Sequence, residues 1–314
     1  MTGGSPRLRF ATRASQLALV QTELAIAALN AANAKIETET VEVSTEGDRD
    51  RETPLTVLGG RGVFVRAVEE ALLTGAADIA VHSLKDVPTD VPAGLTLAAF
   101  LPREDPRDVL VASGGRRLAD LAAGARVGTS SRRRVALLRA MRPDLETLDI
   151  RGNVDTRLRK VADGEYDGAI LAAAGLRRLG RFDEATQVFE EMAFMPAPGQ
   201  GTVVLQCRDD DDATIELLST IDDTETRTAA EAERGFLAAL GTGCSLPVGA
   251  YARLSGDLLA LRGMIGSDED GTLPAFGDVT GPPAEAEALG RGLAERLLAG
   301  ESTSEAETEA GATP

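Results

Sequence analysis

Apolar and polar positions along the chain change period repeatedly, and each change marks an element. Leu8 to Ala11 reads as a short strand. From Ser15 to Ala32 the apolar residues include Leu17, Val20, Leu24 and Leu29, a pattern that predicts a helix. Ile36 to Val43 alternates apolar with polar and predicts a strand. Val63 to Leu73 is helical by spacing, and Asp78 to His82 is a short buried-type strand. The alternation resumes after Pro102. Strands are expected at Val109–Val111, Arg126–Gly128, Leu148–Ile150 and Gly168–Ala172, with a helix capped at Ser130 or Ser131 and another over Val154–Ala162. Strands alternating with helices argue for parallel sheets covered by helices.

Two Pro/Gly-rich segments punctuate this pattern, Pro102 to Pro106 and Met195 to Gly201, and read as hinges. Thr202 to Cys207 is β-like again, so the chain is expected to return to its first sheet. Helices follow near Asp211–Thr220 and Glu225–Leu240. Val248–Leu254 and Leu258–Ile265 then read as antiparallel strands, and Glu285–Leu298 as a helix. The expected fold is α/β: two α/β domains around a cleft plus a small C-terminal α+β domain. The expected boundaries are 1–101 with 199–221, then 102–198, then 222–300. Residues 301–314 are polar and expected to be disordered.

Length and composition narrow the function. A chain of 314 residues is too long for one ordinary core. It has no apolar run of membrane-spanning length, so no membrane partner is expected. Its first residues lack a basic start followed by an apolar stretch, which gives a cytoplasmic expectation. Two cysteines (Cys207 and Cys244) and one histidine (His82) make neither a disulfide framework nor a conventional zinc site, and no metal is expected. A Ser-His-Asp hydrolase is disfavoured for the same shortage.

The formal net charge is −17, yet the charge is segregated. Residues 126–160 hold ten bases against four acids. Only Lys35, Lys85 and Lys160 are lysines among 33 bases. An acidic, lysine-poor chain resembles proteins of salt-loving organisms, where a Debye length of about 3 Å at 1 M salt screens self-repulsion; a GC-rich genome would also favour arginine. Within the basic stretch, Gly128-Thr129-Ser130-Ser131 precedes a helix carrying Arg132, Arg133 and Arg134. Hydroxyl groups and free N–H groups at a helix start form an anion site, and arginine grips carboxylates in a bidentate fork. Arg151-Gly152-Asn153 stands at another strand-to-helix turn, where ligands bind in open α/β sheets. A solvated basic helix face is the plainer alternative. Nucleic acid is a poor candidate, because few aromatics are present for stacking and the remaining chain is acidic.

Seven motifs then occur in order: Ala11 to Ala18, His82 to Pro88, Arg103 to Asp108, Gly128 to Arg134, Arg151 to Val154, Pro198 to Gly201, and Gly243-Cys244. Together they resemble the porphobilinogen deaminase (hydroxymethylbilane synthase) family over roughly residues 7–300. The resemblance implies a transferase of tetrapyrrole biosynthesis, on the way to heme, cobalamin or siroheme. It joins four porphobilinogen molecules head to tail into hydroxymethylbilane and releases ammonia at each addition. The growing chain, rich in acetate and propionate groups, is the anion the basic stretch requires. The implied cofactor is a dipyrromethane primer on a cysteine thioether, matched by Cys244; Cys207 reads as a core residue. Asp86 matches the catalytic aspartate, a carboxylate able to stabilise pyrrole N–H groups and the azafulvene cation formed when ammonia leaves.

By the same matching, Ser83, Lys85, Thr129, Ser131, Arg133 and Arg134 would hold the cofactor. Arg13, Ser15, Arg151, Arg157 and Gln200 would hold substrate and the incoming chain. Phe64, Ser130, Asn153 and Arg178 are lesser candidates; Phe64 serves equally as a core aromatic, Gln200 as a turn residue and Arg178 as a surface ion-pair partner. Arg132, Val57, Arg61, Asp155 and Thr242 depart from the family pattern without removing a catalytic group. The implied layout resembles periplasmic binding proteins, so a non-catalytic small-anion receptor is the competing class. Expected partners are porphobilinogen and the oligopyrrole, with no nucleic acid, a monomeric state, and product hand-over to uroporphyrinogen-III synthase.

Overall fold

A computed structural model describes residues 7–33, 36–44, 65–241, 246–267 and 272–301. The first sheet has the order β2-β1-β3-β10-β4, from β1 (Leu8–Arg13), β2 (Thr38–Val43), β3 (Ile79–Ser83), β4 (Leu95–Phe100) and β10 (Val203–Arg208). It is flanked by helices α1 (Gln16–Ala32) and α2 (Arg66–Leu73). The second sheet has the order β7-β6-β8-β5-β9. Its strands are β5 (Asp108–Ala112), β6 (Arg126–Gly128), β7 (Glu146–Leu148), β8 (Gly168–Ala172) and β9 (Gln187–Val188), with helices α3 (Arg132–Met141), α4 (Val154–Ala162) and α5 (Ala173–Arg178).

The two sheets share one plan. In each, three strands run parallel, and the fourth is antiparallel to both its neighbours. The fourth strand, β5 in one sheet and β10 in the other, is the first strand the chain enters after crossing between the units. Helices α6 (Asp212–Ser219) and α7 (Thr224–Ala239) follow β10. The small C-terminal unit is the antiparallel sheet β11-β12-β13, from Val248–Ser255, Leu258–Ile265 and Ala275–Gly281, covered by α7 and α8 (Ala286–Leu298).

Burial explains why these elements hold. Phe10, Leu29, Ile79, Leu205, Cys207 and Leu218 form the core of the first unit. Leu110, Val127, Leu138, Ile170 and Phe194 form that of the second, which Met264 of β12 also enters. Phe236, Leu261 and Leu293 seal the third. Ser15, Ser131, Asn153, Asp211 and Asp223 cap their helices through side-chain oxygens that accept first-turn N–H groups. No helix among the described residues is long and apolar enough to cross a membrane.

Four strands differ from the sequence expectation: β4, β9 and β13 had no expected counterpart, and β7 is displaced. β4 and β13 carry no clear period-two pattern, and both lie at sheet edges. The strand expected at 148–150 pairs instead over Glu146–Leu148. The hinge residues are tightly apposed. Gly201 has φ +92°, and a Cβ there would overlap the Glu104 carbonyl; Gly199 has φ +75° and abuts Leu84. The two crossings therefore lie side by side against the turn that follows β3.

Candidate active site

The turn after β3 is a single 3-10 turn, Leu84–Asp86. Leu84 and Val87 are buried with Phe100, Val204 and Ala230, and this apolar footing fixes the turn. The Leu84 N–H donates to the Thr202 carbonyl at 3.0 Å, and the Val87 N–H donates to the Leu84 carbonyl at 3.0 Å. Lys85 and Asp86 between them stay half-buried. Lys85 Nζ donates to Gln200 Oε1 at 3.3 Å. Burial of the ammonium lowers Lys85 to about 8, against the opposing pull of Asp86. Gln21 of α1 donates to Ser83 Oγ at 2.9 Å.

Behind the turn, His82 Nε2 meets Gln206 Oε1 at 3.0 Å, and Gln206 Nε2 donates to Glu69 at 3.1 Å. Burial pushes His82 down to about 4, so its ring is neutral, with Asp86 and Arg13 acting on it in opposite senses. Arg13 ends β1, and the Ser15 hydroxyl caps α1 by accepting the Ala18 N–H at 3.3 Å.

The second unit presents the basic side. After β6, Thr129 is buried and its Oγ1 accepts the Ser131 N–H at 3.2 Å. Ser131 caps α3, and Ser130 Oγ donates to the Ile150 carbonyl at 3.0 Å, tying this turn to the next one. Arg133 and Arg134 are not open cations. Both are buried and both pair with Asp108, Arg133 at 2.8 Å and Arg134 at 2.6 Å. Arg133 also donates to the Met195 carbonyl, and Arg134 to that of Ile170 at 2.7 Å. Burial alone would raise the Asp108 carboxyl, but Arg133, Arg134 and a bond from Gln200 Nε2 at 2.9 Å outweigh it and hold it well below the usual range. Lys85, Gln200, Asp108 and Arg134 thus form one polar bridge between the two units.

Arg151 lies half-buried ahead of α4, and Asn153 caps that helix, accepting the Thr156 N–H at 3.0 Å. Arg157 Nε donates to the Gly152 carbonyl at 2.9 Å. Burial, followed by the charges of Arg134 and Arg151, pushes Arg157 down to about 10, while Asp86 opposes the shift. Arg157 therefore lies within electrostatic reach of Arg134, Arg151 and Asp86. Arg178 instead donates to the Gly201 carbonyl at 2.6 Å, and Gln200 is buried in the crossing. Phe64 and Cys244 lie outside the described residues, as do Val57, Arg61 and Thr242. Cys207 is buried in the first core, and burial raises its thiol to about 11.

The basic stretch is also less uniform than its charge count. Arg126 pairs with Asp167, Arg142 with Asp144 and Lys160 with Glu165. What remains near Asp86 fits a ligand with several carboxylates: like charges crowd Arg157, and the buried Arg134 Nε has no hydrogen-bond partner. Asp108 and Gln21 were not among the sequence candidates. Asp108 had a usable signal, an acid that opens a run of buried-type apolar residues and so needs a buried counter-charge.

Comparison with known proteins gives a consistent picture. The family described as porphobilinogen deaminase, dipyromethane cofactor binding domain, matches residues 8–216. Its C-terminal domain matches residues 227–299. The chain is 49% identical to a porphobilinogen deaminase of Roseiflexus castenholzii, over 93% of this chain and 95% of that protein. It is 45% identical to one from Syntrophus aciditrophicus, with coverage of 93% and 95%. Among solved structures it is similar to the methionine binding protein MetQ, with TM-score 0.44 and 12% identity, covering 68% of this chain and 88% of that one.

Proposed function

The chain belongs to the porphobilinogen deaminase family, and from that premise we propose how its own residues divide the work. The reaction is that of a hydroxymethylbilane synthase, in tetrapyrrole synthesis: four porphobilinogen molecules are joined head to tail with release of ammonia. The cofactor is dipyrromethane; its terminal ring would supply the free pyrrole carbon for the first unit, and each later unit would couple to the ring added before it. In our reading Cys244 carries the dipyrromethane. Lys85, Ser83 and the α3 start (Thr129, Ser131, Arg133 and Arg134) surround its carboxylates, with Ser130 fixing the turn. Arg13, Ser15, Arg151 and Arg157 receive the incoming acetate and propionate groups, and Asn153 orients the turn that bears Arg151. Gln200 and Arg178 act from the crossing rather than by direct grip. Phe64 keeps its place beside the cleft as an expectation.

Asp86 is assigned the central role. Its carboxylate balances the cation left when ammonia departs, binds pyrrole N–H groups and moves the proton that leaves after coupling. The supporting observation is its place on a fixed turn, half-buried, with its charge acting on Arg157 across the cleft. The test is Asp86→Asn. Turnover should fall at least about 100-fold, while intact mass still shows two linked pyrroles on Cys244. Wild-type turnover, or the primer on Cys207, would overturn the assignment.

We further propose division of the chain into 1–101 with 199–221, 102–198 and 222–300, and a cytoplasmic monomer that passes its product to uroporphyrinogen-III synthase. Its acidic surface is read as salt adaptation. Sedimentation and activity from low to molar salt check both; a dimer, or full activity and stability without salt, would remove the respective claim.

A further inference from the structure

The loop that follows Asp86 has an unusual support. Val87, Pro88 and Thr89 lead away from the 3-10 turn toward β4, and no described backbone N–H outside helices and strands reaches their carbonyls. One side chain does. Arg234 of α7 donates to the Pro88 carbonyl at 2.9 Å, to that of Thr89 at 3.1 Å and to that of Val87 at 3.3 Å. A planar guanidinium can span three successive carbonyls; a single ammonium point cannot do so in the same geometry.

The same helix touches the turn a second time. Ala230, one helical turn before Arg234, packs against Leu84 and Val87. Between them, Glu233 is fully buried, pairs with Arg103 at 2.6 Å and accepts the Gly199 N–H at 2.6 Å. Helix α7 ends at Ala239, and the segment carrying Cys244 lies just beyond that end.

We infer that Arg234 is a positioning residue for the reaction: it locks the backbone behind Asp86 to the helix that leads into the primer's cysteine. The turn bearing Asp86 is thereby held against one rigid element, α7. This rests on the reading that Asp86 faces the reacting pyrroles. Near-attack geometry is steep in distance, and a displacement of about 1 Å costs about 100-fold.

The test uses the full-length, primer-loaded protein. Arg234→Gln should lower turnover per primer-loaded molecule by about 10- to 100-fold, with the KM for porphobilinogen within about twofold, because no substrate-binding group is lost. Arg234→Lys should restore part of the rate. Hydrogen exchange over residues 84–95 should quicken in Arg234→Gln while β3 and β10 stay protected, with and without primer. A structural role alone would lower thermal stability or primer occupancy and leave the rate per loaded molecule untouched; that result, or unchanged exchange in the loop, overturns the inference. If Arg234→Gln does not fold, Arg234→Lys is read by the same rate and exchange measurements, and a wild-type result there overturns it equally. Asp86→Asn is run alongside. If it is active, the reading of Asp86 fails; if it is inactive while Arg234→Gln is fully active, only the positioning inference fails.

Discussion

Arg134 and Arg157 come from the same basic stretch and lie close enough for Arg134 to act on Arg157, yet they are held in opposite ways. Arg134 is buried and carries its counter-ion inside the fold, bonded to Asp108 at 2.6 Å. Arg157 is held by the Gly152 carbonyl, a neutral acceptor, and is crowded by Arg134 and Arg151. A cation matched by an internal carboxylate is fixed in place before any ligand arrives. A cation held by a carbonyl among like charges is poised for an anion from outside. Charge counting along a sequence treats the two alike.

The largest effect that would break this comparison is expected at Asp108. Asp108→Asn leaves two buried guanidinium groups without their carboxylate, and removing one partner of a buried pair costs about 3–5 kcal/mol. Denaturant unfolding should show that loss, together with poor primer capture; a wild-type midpoint would mean that Arg133 and Arg134 do not depend on Asp108. Next in size is Arg157→Leu. Stability should change by less than about 1 kcal/mol, while partly extended chains accumulate in the intact-mass ladder. An unchanged ladder would place Arg157 with the arginines fixed in place by the fold. The smallest effect is in acid. The Asp108 carboxyl sits below its unfolded value, so its contribution is complete above about pH 4 and is lost as pH falls toward the folded value. Stability of the wild type should therefore fall more steeply below about pH 4 than that of Asp108→Asn. Parallel acid limbs would argue against the pairing.

Much of this was legible in the sequence. The β-α alternation foretold both sheets, and the hydroxyl-rich segment before α3 foretold a cap, which Ser131 supplies. The ordered motifs carried the family and the reaction. What stayed hidden is what partners at long range decide. Leu95–Phe100 becomes a strand because β10 returns to pair with it. Arg133 and Arg134 are held rigidly because Asp108, distant in sequence from both, is brought into contact with them. Gln200 reads as a substrate-binding or a turn residue, and its bonds to Lys85 and Asp108 emerge only in the fold. Arg234 looks like one more charged position on an amphipathic helix, since backbone carbonyls leave no trace in composition.

The paired crossings have a mechanical consequence. Two neighbouring tethers between rigid bodies resist twist and sliding while leaving flexion about their common line comparatively soft. Glu233 pins both tethers at once, one through Arg103 and the other through the Gly199 N–H. The pivot is thus fastened to α7, and so is the turn bearing Asp86. A load on either crossing is therefore carried into α7 and, through the three carbonyls that Arg234 holds, to the loop behind Asp86.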